Sequence, residues 1–268
     1  MKLKSFTLQI FEPEKTIDFY TKVLGFSLLK TYSNRDSTYY NLGYSNANYY
    51  IQLKHTPSLA KENYQQHPND NYWKYSVFVN NIQKVYANLL AKGHAIKEPF
   101  QFGNIGYLAH TIDTENHQIE FIQKTFKGNP TKNINPTNVL GLLTIRTKDP
   151  LKSIRFYENV LNLKLFVRMY VGRGKGFTLY FLGDKNLQAP NLDIDAIENR
   201  EWMYQQEHLF IEIQYYWGSE RDDSFNLAKV KNTGLQHINF GNNGTVPKEP
   251  FVFETPDQHT ILLKKEQN

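Results

Sequence analysis

The sequence predicts an α+β fold made of four tandem βαβββ modules, the last one truncated, which together form two concave mixed sheets. Three observations carry that prediction. The chain repeats itself at a spacing of 137 residues, each copy holds an amphipathic helix with start and stop signals, and short runs of alternating polarity flank the helices.

The repeat appears when Pro13-Glu14-Lys15-Thr16-Ile17-Asp18-Phe19-Tyr20 is laid over Pro150-Leu151-Lys152-Ser153-Ile154-Arg155-Phe156-Tyr157. From residue 13 to 29, eight of seventeen positions are identical, including Val23-Leu24 over Val160-Leu161 and Leu28 over Leu165. Chance does not give such agreement in so short a window. Between the copies lies a stretch rich in Gly, Pro and Asn, which favour turns over helix and strand. It divides the chain into an N-terminal unit, 1–126, a linker, 127–137, and a C-terminal unit, 138–268.

The first helix follows from Ile17, Tyr20 and Leu24, spaced to share one face of a 3.6-residue period. Pro13 suits its first turn, and Gly25 suits the left-handed position that ends it. The second copy has Pro150, Ile154, Tyr157 and Leu161, then Asn162, the residue next most tolerant of that conformation. A related helix runs through Ile82, Val85 and Leu89 to Gly93. The alternating runs Phe6 to Ile10, Tyr50 to Lys54, Tyr75 to Val79 and Ile119 to Ile122 predict half-buried strands. In the fourth module a strand from Leu235 to Phe240 leads through Gly241-Asn242-Asn243-Gly244 into two short strands, with no helix between them. Residues 193–206 read as an inserted helix and loop.

Composition excludes several chemistries. No cysteine is present, which removes disulfides, cysteine-ligated zinc, iron–sulfur clusters and thiol nucleophiles. A hydrophobic share of 40% supports packed cores, and 18 Phe with 18 Tyr predict ring-rich cores and ring-lined cavity walls, with Tyr50, Phe78 and Tyr216 among the candidates. The opening residues lack a signal-peptide pattern, and no window reaches the roughly 18 uninterrupted apolar residues of a membrane span. A cytoplasmic monomer or homodimer is the expectation. Net charge is +5, but the lysines are scattered, so a mildly basic surface is expected rather than a nucleic-acid site. No phosphate-cradling glycine loop or serine-nucleophile elbow occurs. His110, His117, His208 and His259 lack metal spacing relative to one another and receive no role.

The helix motif Pro-Xaa-Lys-Ser/Thr-Ile-Xaa-Phe-Tyr and the closing hairpin Asp113-Thr114-Glu115-Asn116-His117-Gln118-Ile119-Glu120 resemble the vicinal oxygen chelate superfamily. The second half is most similar to the glyoxalase I branch, through Thr144 to Pro150, Leu179 to Leu182, Ile211 to Glu220 with its Trp217-Gly218-Ser219-Glu220 block, and Gly234 to Ile238. The resemblance implies a metal held in the concave sheet of two paired modules. Each module then supplies one side chain from its first strand and one from a later strand, for Lewis-acid chemistry with a carboxylate moving a proton.

Carried over residue by residue, the slots of the first half fall on Ser5, Gln52, Lys74 and Glu120. Those of the second half fall on Leu142, Glu212, His237 and Leu262. Strand alternation turns Gln52, Glu120 and Glu212 into the concavity, because Ile51, Leu53, Ile119, Phe121, Ile211 and Ile213 face the core. Two module pairings are open. Pairing within halves leaves Glu212 and His237 as the metal ligands of the second half. Pairing across halves groups Ser5, Gln52, His237 and Leu262 in one cavity and Lys74, Glu120, Leu142 and Glu212 in the other, with Lys74 between the two carboxylates in place of a metal.

Leucine offers no lone pair and lysine brings positive charge, so both arrangements depart from the three or more ligands of zinc or nickel sites. The leading expectation is a metal-free, cofactor-free protein that binds a small organic or anionic ligand. Under the resemblance, Glu212 and Glu120 carry any catalysis, and Arg146, Lys74, Gln52 and Tyr216 contact the ligand. Arg146 matches the family's glutathione-binding Arg, and Tyr216 stands at its Asn partner's position. Two alternatives stay open: an active glyoxalase I-type lyase with zinc or nickel, and a partner-binding scaffold that uses the insertion around Trp202, Met203 and Tyr204.

Overall fold

The computed structural model describes residues 1–44, 48–130, 134–229, 231–242 and 250–265. Parts of the linker (131–133) and of the fourth module, including Asn243 and Gly244, lie outside the described residues.

The first module comprises Lys2–Ile10 (β1), Pro13–Asp18 (α1), Ser27–Ser33 (β2), Thr38–Gly43 (β3) and Tyr50–His55 (β4). The second comprises Tyr72–Val79 (β5), Ile82–Ala91 (α2), Phe100–Phe102 (β6), Gly106–Ile112 (β7) and Gln118–Gln123 (β8). In the third are Val139–Thr147 (β9), Pro150–Asn159 (α3), Leu163–Val171 (β10), Phe177–Asp184 (β11), the inserted helix Glu198–Tyr204 (α4) and Phe210–Tyr216 (β12). The fourth consists of Leu235–Asn242 (β13), Phe251–Glu254 (β14) and Thr260–Lys265 (β15).

Modules pair across the halves. A seven-stranded sheet has the order β14-β15-β13-β1-β4-β3-β2, and an eight-stranded sheet the order β10-β11-β12-β9-β5-β8-β7-β6. First strands meet first strands at each centre: β1 runs antiparallel to β13, and β5 antiparallel to β9. Over most of their length β1, β5 and β9 are buried on both faces, not on one as their alternation suggests; Ser5, Thr7, Ser76 and Thr144 are as enclosed as Phe6 and Tyr75. The polar face is turned inward because each sheet curls over it. On the other side one contiguous apolar cluster takes residues from both sheets, among them Phe6, Ile51, Tyr75, Ile119, Ile211 and Ile238.

Helix and hairpin motifs stitch each half together. Asp113 Oδ1 accepts from the backbone N–H groups of Glu115 and His117, and Asn116 takes the left-handed conformation the turn needs (φ 67°). Glu115 Oε1 then accepts from Phe11 N and Glu12 N at 2.9 and 2.8 Å, serving the start of α1, which has no side-chain cap of its own. Tyr20 donates to Asp113 Oδ2 at 3.0 Å, and Tyr75 donates to Tyr20 at 2.9 Å. The equivalent link in the second half is Ser153 donating to Asp257, with Lys148 N also donating to Asp257. Each half is thus joined through a helix while each sheet is joined across halves.

Local signals act as the sequence implies. Pro13 and Pro150 occupy first turns, Asp149 caps α3 by accepting from Lys152 N, and Gly25 and Asn162 sit at φ 76° and 60°. One departure occurs after α1: Phe19–Val23 widens into a π turn closed by Leu24 N donating to Phe19 O. The Trp217-Gly218-Ser219-Glu220 block forms a corner in which the Trp217 ring lies over Gly176, where a Cβ would come within 2.3 Å of it.

Candidate functional site

Register places the same pattern in all four modules. On each first strand, a residue two positions beyond the metal-position slot lies beside the slot on the last strand: Thr7 beside Gln52, Ser76 beside Glu120, Thr144 beside Glu212 and Asn239 beside Leu262. Three of these neighbours bond the residue they flank. Thr7 donates to Gln52 Oε1 at 2.9 Å, Ser76 to Glu120 Oε2 at 2.8 Å and Thr144 to Glu212 Oε2 at 2.6 Å. Sequence reading missed these hydroxyls; strand alternation from the slots would have found them.

In the eight-stranded sheet, Lys74, Glu120 and Glu212 come together. The Lys74 ammonium lies 2.5 Å from Glu120 Oε2 and 3.4 Å from Glu212 Oε2, and all three side chains are buried. His110 Nε2 stands 2.9 Å from Glu120 Oε1. It belongs to β7, so its partner comes from hairpin pairing, and no sequence spacing reveals it. Burial opposes charge on every member. On Lys74 the two carboxylates outweigh it and hold the ammonium's pKa above its ordinary value. Burial pushes Glu120 upward, but Lys74 and His110 outweigh it and hold the carboxyl well below the ordinary range. For Glu212 burial dominates, and the nearby charge of Glu120 adds to it, so its pKa rises despite Lys74. Two carboxylates on one scaffold are thus driven in opposite directions.

Above this trio is a cavity of about 260 Å³, with Lys74, Glu120, Glu212 and His110 in its lining. Its walls include Trp73, Phe100, Phe102, Phe177, Phe181 and Tyr204, with Leu142 also in the lining. Tyr204 comes from the insertion. Met203 and Tyr204 are fully buried, Trp202 packs on Phe166 at 5.4 Å, and Tyr204 donates to Ile105 O at 2.7 Å. The insertion therefore builds the cavity wall and does not present these rings outward.

The donor set does not fit a metal. Leu142 supplies no lone pair, and an ammonium fills the space between the two carboxylates. Among the described residues, no group of three or more His, Asp or Glu side chains is placed to hold an ion.

The seven-stranded sheet holds Ser5, Gln52, His237 and Leu262, as cross-half pairing requires. Gln52 is enclosed in a neutral network: its Nε2 donates to Tyr32 at 2.9 Å and to Asn41 Oδ1 at 3.0 Å. Asn239 donates to Ser5 and Thr7 at 3.1 and 3.0 Å. His237 sits opposite Thr7, its pKa lowered to about 4 by burial and by the positive charges of Lys54, Lys264 and Lys229.

Three carried-over assignments change. Glu212 and His237 do not form a metal pair, because cross-half pairing puts them in different sheets. Arg146 is not brought to the cavity: its Nε donates to Gln214 Oε1 at 2.8 Å, and its Nη1 to the carbonyls of His67, Asp70 and Tyr72. Those bonds hold a loop, and the guanidinium lies over the Trp73 ring, 5.3 Å from its centroid. Tyr216 packs edge-on against Phe177 and Phe225 outside the cavity lining, while Phe78 is enclosed core.

Comparison with known proteins agrees with this architecture. Residues 2–121 match the model of the Glyoxalase/Bleomycin resistance protein/Dioxygenase superfamily. Glyoxalase I of Saccharomyces cerevisiae is 24% identical over 257 residues, which cover 86% of this chain and 74% of that protein. Lactoylglutathione lyase of Pseudomonas aeruginosa is 34% identical over 98 residues, covering 36% of this chain and 53% of the relative. The crystal structure of glyoxalase I from Zea mays superposes with a TM-score of 0.71 at 18% identity, over 98% of this chain and 91% of that one. Residues 2–121 are thus similar to the Glyoxalase/Bleomycin resistance protein/Dioxygenase superfamily, and the chain as a whole shares its fold with the maize glyoxalase I structure.

Proposed function

We propose that this protein binds a small organic molecule in the cavity of the eight-stranded sheet, with Lys74 standing where the resemblance puts a metal. The observation that carries the reading is the buried ammonium between Glu120 and Glu212. An ammonium satisfies two facing carboxylates electrostatically, but it has no open coordination position at which to polarise a substrate oxygen. Zinc or nickel would have to displace a hydrogen-bonded lysine and then bind two carboxylates, one of them already held by His110. What remains is a partly open, ring-walled space with a few convergent polar groups, the form of a ligand pocket. The insertion supports this reading over a partner-binding scaffold, because its Met203 and Tyr204 are spent on the cavity wall and core.

The names of the relatives favour a second reading, a glyoxalase I-type lyase. Metal analysis of protein purified without a His tag, paired with a methylglyoxal–glutathione turnover assay, separates the two. We expect metal far below one equivalent and no turnover above a protein-free control. One equivalent of zinc or nickel together with turnover would overturn the proposal in favour of the lyase.

A further inference from the structure

Resting on the ligand-binding reading, the geometry points to a class of ligand: a small organic cation with an aromatic or compact apolar body, its ammonium on Glu212 Oε1. Glu120 is fully engaged, through Lys74 and Ser76 on Oε2 and His110 on Oε1. Glu212 is not. Its bonds from Thr144 and Lys74 both reach Oε2, and Oε1 has no donor among the described residues although Glu212 lines the cavity. The floor therefore has one carboxylate oxygen to offer. It also has one more carboxylate than ammonium, since Lys74 is the only lysine among the residues that line the cavity.

A surplus buried carboxylate is costly unless it is paired or protonated. A ligand ammonium at Glu212 Oε1 supplies the missing charge and the missing donor together. The walls favour the same class. Six aromatic rings surround the space, and the negative faces of such rings attract cations while their bulk takes an apolar body. An anion would meet Glu212 directly, and Lys74 is already enclosed by two carboxylates. Arg173 also lines the cavity, but it is an exposed residue with its guanidinium over the Phe102 ring, so solvent screens it far more than Glu212 is screened.

Isothermal titration of the full chain at neutral pH with benzylamine, benzamide and benzoate tests the class, since the three share a ring and differ in charge. Benzylammonium should bind at least tenfold more tightly than either of the others. Glu212→Gln should cost it at least tenfold and change benzamide binding far less, with thermal unfolding of the variant confirming a folded protein. If benzamide or benzoate binds as tightly as the amine, the cation assignment is overturned while the cavity stands as a ligand site; the wild-type comparison decides this even if the variant fails to fold. Equal amine binding by folded Glu212→Gln overturns the contact. If none of the three binds, the ligand-binding reading itself falls.

Discussion

The concave faces of the two sheets share a scaffold and differ in charge. Both sheets join two modules through antiparallel first strands, and both put a hydroxyl or amide beside each last-strand slot. In the seven-stranded sheet the slot holds Gln52, whose amide both accepts and donates, so Thr7, Tyr32 and Asn41 close around it without any ion. In the eight-stranded sheet the slots hold Glu120 and Glu212, which only accept when ionised. They require a buried cation, and Lys74 provides it. The scaffold thus fixes where a polar group points, and the residue type at two or three slots decides whether the face becomes a sealed network or a charged floor beneath a cavity.

The largest expected difference follows from charge. Lys74→Met leaves Glu120 and Glu212 facing each other in a buried site, and breaking a buried ion pair in this way costs about 3–5 kcal/mol. Chemical denaturation at neutral pH measures it. Adding Glu120→Gln and Glu212→Gln to that variant should recover most of the loss, because the uncompensated charges go with the lysine. An unchanged unfolding midpoint for Lys74→Met would mean that the ammonium does not neutralise the site.

Gln52→Leu is the matching test on the other face. It removes one acceptor and two donors from a neutral network and strands Asn41 Oδ1, for which about 1–3 kcal/mol is expected. Thermal or urea unfolding would read the difference. A loss as large as that of Lys74→Met would erase the distinction between a charged and a neutral face.

Much of this comparison was legible in the chain. Pro13 and Pro150 marked helix starts, and Gly25 and Asn162 marked the left-handed ends, because those conformations depend on one residue each. Lys74, Glu120 and Glu212 could be assigned to one concavity from the resemblance, with strand alternation supporting the two glutamates, on the condition that modules pair across halves. That condition was not legible. All four first strands offer apolar residues of similar size on one face, and nothing local tells β5 to choose β9, or β1 to choose β13. His110 was illegible for the same reason: it meets Glu120 through the pairing of β7 with β8. The rings of the cavity wall come from β5, β6, β11 and the insertion, and rings at those positions read in sequence as ordinary core. Arg146 shows the opposite failure. Its motif position suggested a ligand contact, but Nε and Nη1 are engaged by Gln214 and three backbone carbonyls away from the cavity.

The smallest effect sharpens the comparison through pH. His237 is depressed to about 4 on the seven-stranded face, against 6.5 for an ordinary histidine, so the unfolded chain takes up its proton first as pH falls. Its contribution to stability is present in full above pH 6.5 and is lost progressively between 6.5 and about 4. The groups acting on the ring are Lys54, Lys264 and Lys229, the last of which is paired with Glu254, so among the described residues no carboxylate sits against the imidazole to reverse the sign. Since His237 is partly open to solvent, the loss attributable to it should be about 1–2 kcal/mol, below what the full shift would give. His208 and His259 are depressed too, so the wild-type curve alone does not isolate it. The difference between wild type and His237→Gln does: the stability gap should shrink as pH drops from 7 to 4. A gap that is constant over that window would place His237 in open solvent, not in a half-buried site beside three lysines.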